Sequence, residues 1–71
     1  MSEYKITIAA ARVNANMTQE EAAKELHVSK TTISNWEKGR VIPSYVALRA
    51  LSQLYGVPLD SIFLREELTN S

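Results

Sequence analysis

The stretch from Thr18 to Gly39 carries two helix start signals and a helix stop signal in close succession, which leaves this part of the chain very little conformational freedom. Thr18 followed by Glu21 is a capping box: the threonine oxygen accepts the amide proton of the third helical residue, and the glutamate reaches back to the Thr18 amide. A helix is therefore predicted to start at Gln19. Met17 and Ala22 flank the cap as a weak hydrophobic staple, and Ala22, Ala23 and Leu26 share one helical face. Val28 and Ile33 repeat the staple around a second cap, Ser29. Lys30 then opens the next helix, with Ile33 and Trp36 on its inner side. Gly39 supplies the left-handed residue past its end, and Lys38 sits near the negative pole of the helix dipole. The intervening Leu26-His27-Val28-Ser29 allows only a sharp corner, and the small Ala23 lies where the second helix of the pair crosses closest.

With 71 residues the chain is read as a single domain over 1–71, with its core over about 5–65 and a frayed tail over 66–71. A domain this small has little interior to spare for a catalytic cleft, so function is expected on the surface. The absence of cysteine excludes a disulfide framework or a thiolate zinc site, and the single histidine cannot build a metal site alone. No cofactor is expected, nor an enzyme. The apolar-leaning run from Ile6 to Ala11 is far short of the roughly 20 residues of a membrane span. No signal peptide, transit peptide or membrane anchor is read, and the cytoplasm is the simplest location.

The whole chain reads as all-α with five helices and no strand. The first is expected from about Lys5 to Ala15, with Ile8, Val13 and Ala9 inward and Asn16 as a left-handed exit. Helices two and three are the capped pair. Residues 40–43 form a loop; Ser44 caps helix four, whose Leu48, Leu51, Leu54 and Tyr55 recur at helical spacing until Gly56. Pro58 opens a short fifth helix to about Arg65, with Leu59, Ile62 and Phe63 inward.

Eight basic and eight acidic side chains cancel, which taken alone argues against a nucleic-acid partner. Their distribution argues the other way. Residues 26–59 hold Lys30, Lys38, Arg40 and Arg49 against Glu37 alone, whereas acids outnumber bases in the remainder. On helix three the residues left outside the core are Lys30, Thr31, Ser34, Asn35 and Lys38, a polar set without an acid.

From about Ile8 to Phe63 the chain resembles the phage repressor and Cro family, the xenobiotic-response-element type of helix-turn-helix regulator with a lambda-repressor-like DNA-binding domain. The matching residues are Arg12, Thr18 to Ala23, Val28-Ser29, Thr32 to Gly39, Pro43-Ser44, Leu48, Leu51, Gly56-Val57 and Leu59-Asp60. The resemblance implies a transcriptional regulator whose partner is a double-stranded DNA operator. It implies that Gln19, next to the Thr18 cap, clamps a backbone phosphate. It further implies that Lys30, Thr31 and Asn35 read bases in the major groove, that Thr32 and Ser34 lie nearer phosphate or groove edge, and that Lys38 and Arg40 approach phosphates after helix three. Side-chain chemistry agrees: lysine can donate to guanine O6 and N7, asparagine can pair with adenine N6 and N7, and a threonine methyl can touch the thymine methyl. Arg12 and Glu37 look like the family's structural ion pair. Two departures stand out: His27 replaces the usual turn glycine, and the weak basicity implies few phosphate contacts.

Trp36 packs in the core rather than stacking on a base, and His27 serves the turn rather than a ligand set or general base. Asp60, Glu66 and Glu67 solvate the last helix and tail rather than forming a catalytic pair, and Arg49 stays open between phosphate contact and solvated surface. The expected function is repression by operator occupancy as a homodimer, with Ile62, Phe63 and Leu64 as the contact surface, on half-sites about one helical turn apart. The alternative is a protein-interaction module of antitoxin or antirepressor type, with a regulatory protein partner; the acids Glu20, Glu21 and Glu25 of helix two are its best support.

Overall fold

Among the described residues each α-helix begins on a side-chain hydroxyl and ends beside a left-handed residue. The structure, a computed structural model, describes residues 5–63. The order is β1 (Ile6–Thr7), α1 (Ile8–Asn14), α2 (Gln19–Leu26), α3 (Lys30–Lys38), α4 (Tyr45–Tyr55), a single 3₁₀ turn (Leu59–Ser61) and β2 (Ile62–Phe63). The caps are Thr7, Thr18, Ser29 and Ser44, each accepting the amide proton three residues on. The exits are Asn16, His27, Gly39 and Gly56, all at positive φ. At the corner between α2 and α3 the amide of Val28 donates to the Ala23 carbonyl at 3.0 Å and that of His27 to Lys24 at 3.3 Å. This is a Schellman ending, and His27 reaches the left-handed region, φ 59°, that a glycine would enter without strain.

The interior is built from Ile6, Ile8, Ala11, Ala22, Ala23, Ile33, Leu51 and Tyr55, with Leu26, Val28, Trp36, Leu48 and Leu54 half-buried around it. Ile33 and Leu51 are completely enclosed. The alanines of α2 bring α3 close, so the back of α3 rests chiefly on α2, with α1 beside it.

Two expectations are corrected, the architecture of five helices and no strand and the inward face of α1. There are four α-helices among the described residues, not five. Pro58 has no amide proton and sits extended, and the segment after it closes only one 3₁₀ turn, Ser61 N to Pro58 O at 3.0 Å. Ile62 then turns extended and β2 pairs in parallel with β1, Ile6 opposite Ile62 and Thr7 opposite Phe63. The β-branched Ile6, Thr7 and Ile62 suit this pairing, which also buries Ile6. The same pairing shortens α1: Thr7 is its cap, with Oγ1 accepting from Ala10 N at 3.1 Å, so Lys5 to Thr7 are not helical. Lys5 instead reaches across to the Asp60 carbonyl at 3.2 Å. Residues 64–71, including the rest of the expected fifth helix, its Leu64 and the tail, lie outside the described residues. The second correction is within α1: Val13 is exposed and Ala11 is buried, because Ile8, Ala11 and Ala15 form the inward stripe.

Candidate nucleic-acid interface

With Ile33 fixed in the core, helical geometry decides what α3 shows. At about 100° per residue, Lys30, Ser34, Lys38, Thr31 and Asn35 occupy one arc of about 140°, and Ile33 and Trp36 fall outside it. Lys30, Thr31 and Lys38 are exposed, while Ser34 and Asn35 are half-buried. The expected base readers Lys30, Thr31 and Asn35 therefore share one face. Thr32 is not among them: its amide donates to Ser29 Oγ at 3.0 Å and its hydroxyl lies 2.9 Å from the same oxygen, so it belongs to the cap.

The positions expected at the DNA backbone form a second group. Thr18 and Glu21 complete the capping box, Glu21 N to Thr18 Oγ1 at 3.0 Å and Thr18 N to Glu21 Oε1 at 2.9 Å. Gln19, one residue on, shares an open depression with Lys38, Arg40, Glu37 and Ala9. Arg40 is placed by the end of α3, where its amide donates to the Asn35 carbonyl at 3.0 Å and Gly39 N donates to Trp36 at 3.2 Å. Three of the expected phosphate-contacting residues, Gln19, Lys38 and Arg40, thus line one hollow although they come from separate segments. Ala9 has no chemistry that could have marked it beforehand.

Beneath the hollow lies the Arg12–Glu37 pair. Arg12 Nε donates to Glu37 Oε2 at 2.7 Å and Nη2 to Oε1 at 3.3 Å, and the two side chains are 15% and 7% exposed. Hydrogen bonding to Glu37 holds the guanidinium more firmly charged than usual, against the opposing cost of burial. Arg12 Nη1 also donates to the Met17 carbonyl at 2.8 Å, and Gln19 Nε2 donates to Glu37 Oε1 at 2.9 Å. The last bond escaped sequence reasoning; a glutamine opening one helix and a glutamate near the end of the next give no local signal of contact.

Tyr55 packs in the same interior, and its buried hydroxyl has no hydrogen-bond partner among the described residues. Its pKa is pushed up from 10.0 to about 12, mainly by burial and then by the charge of Glu37, with Arg12 pulling the other way. Folding thus favours the neutral phenol. The stability this contributes is intact below pH 10 and is lost as pH rises towards about 12, because the unfolded chain sheds a proton that the folded chain keeps. Melting temperatures measured across that window are expected to fall, and to fall less steeply in Tyr55→Phe; equal slopes would clear Tyr55 of the effect.

On another side, Val41, Ile42, Tyr45 and Val46 are exposed where the loop after α3 meets α4, with Val46 76% exposed. The expected contact surface at the far end is less open: Ile62 is half-buried in the ladder, and the Phe63 side chain and Leu64 lie outside the described residues. No helix among the described residues is long and apolar enough to cross a membrane.

The family described as Helix-turn-helix matches residues 8–62. Among curated relatives, the HTH-type transcriptional activator BcrR of Enterococcus faecalis is 36% identical over 66 residues, covering 93% of this chain and 32% of BcrR. An HTH-type transcriptional regulator of Methanocaldococcus jannaschii is 40% identical over 52 residues, 73% of this chain and 79% of that protein. The HTH-type transcriptional regulator ImmR of Bacillus subtilis is 36% identical over 59 residues, 83% of this chain and 46% of ImmR. The chain thus spans about a third of the first of these relatives and under half of the last. No solved structure matches it.

Proposed function

The chain belongs to the XRE/Cro-like helix-turn-helix family of DNA-binding transcriptional regulators, and from that membership we propose that it is a sequence-specific reader of double-stranded DNA that represses by occupying an operator as a homodimer. The observation that carries this reading is the acid-free arc of α3, Lys30, Thr31, Ser34, Asn35 and Lys38, standing on a core that fixes its orientation. Lys30, Thr31 and Asn35 read base edges. Gln19, Lys38 and Arg40 hold phosphate, with Thr18 and Ser34 at the margin and Thr32 held to its cap. Occupancy needs no chemistry beyond this surface, and the cytoplasm is where such a reader meets its operator. BcrR, named an activator, has most of its length outside the match.

A single helix reads too few base pairs to be selective in a genome, so two copies on a pseudo-palindrome are expected, with half-sites about 34 Å apart. The exposed corner of Val41, Ile42, Tyr45 and Val46 is the face this reading gives to the second copy, since it is apolar and Ile62 is already engaged. Selection of bound oligonucleotides from a random pool is expected to enrich inverted repeats containing a guanine and an adenine contact in each half. The complex should hold two chains per duplex, and one in Val46→Asp. Asn35→Ala should lose about 1 to 3 kcal/mol of discrimination at one base pair. Absence of enrichment at low salt would instead favour the protein-interaction reading, whose support is the exposed Glu20, Glu21 and Glu25 of α2.

A further inference from the structure

We propose that Glu37 is a positioning residue for phosphate binding: its carboxylate anchors the Gln19 carboxamide at the rim of the hollow, so that the ion pair holding the fold also sets the geometry of the clamp. The inference rests on the reading of Gln19 as a phosphate contact. Glu37 divides its two oxygens between two tasks. Among the described residues Oε2 receives Arg12 Nε alone, at 2.7 Å, whereas Oε1 receives Arg12 Nη2 at 3.3 Å and, more closely, Gln19 Nε2 at 2.9 Å. Arg12 meanwhile holds the Met17 carbonyl at 2.8 Å, just before the Thr18 cap. The beginning of α2 is therefore tied on two sides to one buried pair, once through its backbone and once through the side chain of Gln19.

This arrangement fixes which end of the carboxamide points where. A carboxylate only accepts, so it selects the amide nitrogen of Gln19 and turns the carbonyl away. One N–H is used by Glu37; the other N–H of the same planar group remains for a ligand in the hollow that Gln19 shares with Lys38 and Arg40. A glutamine side chain without such an anchor samples several rotamers, and ordering it on binding weakens the contact by about tenfold. Lys38 and Arg40 supply charge to the same hollow, but Gln19 is neutral. Its contribution is consequently one of geometry, and it carries no counterion release.

Those properties define the test, which uses the full chain and a short random-sequence DNA duplex, because phosphate contacts do not depend on sequence. The variant Arg12→Met/Glu37→Met replaces the pair by apolar side chains of similar length, an exchange that commonly preserves a fold. It is expected to bind the duplex about tenfold more weakly than the parent, with an unchanged slope of log affinity against log salt. Gln19→Ala is expected to weaken the parent by a similar factor and to add little in the Met/Met background. Parent-like affinity of the folded Met/Met variant, or a full additional loss on adding Gln19→Ala, would leave Glu37 with a structural role only and overturn the proposal. If Gln19→Ala costs the parent nothing, the clamp itself is wrong and the inference falls with it, a result distinct from the previous two. Should the Met/Met variant not fold, the parent decides the matter by NMR. Slowed exchange and dispersed shifts of the Gln19 side-chain amide protons are expected, and values of a free glutamine would refute the anchor.

Discussion

Glu37→Ala should lower stability by about 3 to 5 kcal/mol, because it leaves the Arg12 guanidinium charged and largely buried without its partner. The guanidinium cannot shed its charge to escape, so the cost falls on the fold. For a domain of this length such a loss approaches the whole margin of stability, and the melting point is expected to drop by on the order of 20 °C. One further bond fails with it, the one from Gln19 Nε2 to the Glu37 carboxylate. Circular-dichroism melts provide the check, and an unmoved midpoint would show that Arg12 finds solvent or another acceptor. Base preference, measured on whatever fraction folds, should not change, since the hydrogen bonds of Glu37 go to Arg12 and Gln19 and not to Lys30, Thr31 or Asn35.

Ile33→Ala should cost about 2 to 5 kcal/mol through the lost burial and the cavity it leaves. Ile33 is completely enclosed in the core, on the side of α3 opposite the reading arc. The denaturant midpoint should fall with the slope of the transition unchanged. Thr31→Ala, on the exposed side of the same helix, should stay within about 0.5 kcal/mol of the parent. If the two variants melted alike, α3 would not have the inner and outer faces described above.

What could be read beforehand was governed by neighbours in sequence. Thr18, Ser29 and Ser44 act on amides three residues away, and Asn16, His27, Gly39 and Gly56 end helices by local backbone geometry, so all were legible. The same holds for the inward set of α3 and for the arc it leaves outside. The Arg12–Glu37 pair could be named because a family pattern supplied it. What failed was non-local or lacked a distinctive side chain. Two residues at each end of the described chain are too few to announce a strand, and only the encounter of Ile6 with Ile62 makes them one. Ala11 is buried in preference to the larger Val13 because phase along α1 outweighs side-chain size. The bond from Gln19 to Glu37 depends on how α2 and α3 are set against each other, which composition cannot express.

The ladder that joins β1 to β2 also orders events in time. It brings together residues from opposite ends of the described chain, the most expensive loop to close, whereas the pairing of α2 with α3 spans only a short corner. Assembly is therefore expected to spread from the middle outwards, and loosening to begin at the ladder. The molecule can release its ends first while the groove-facing helix stays mounted on its base.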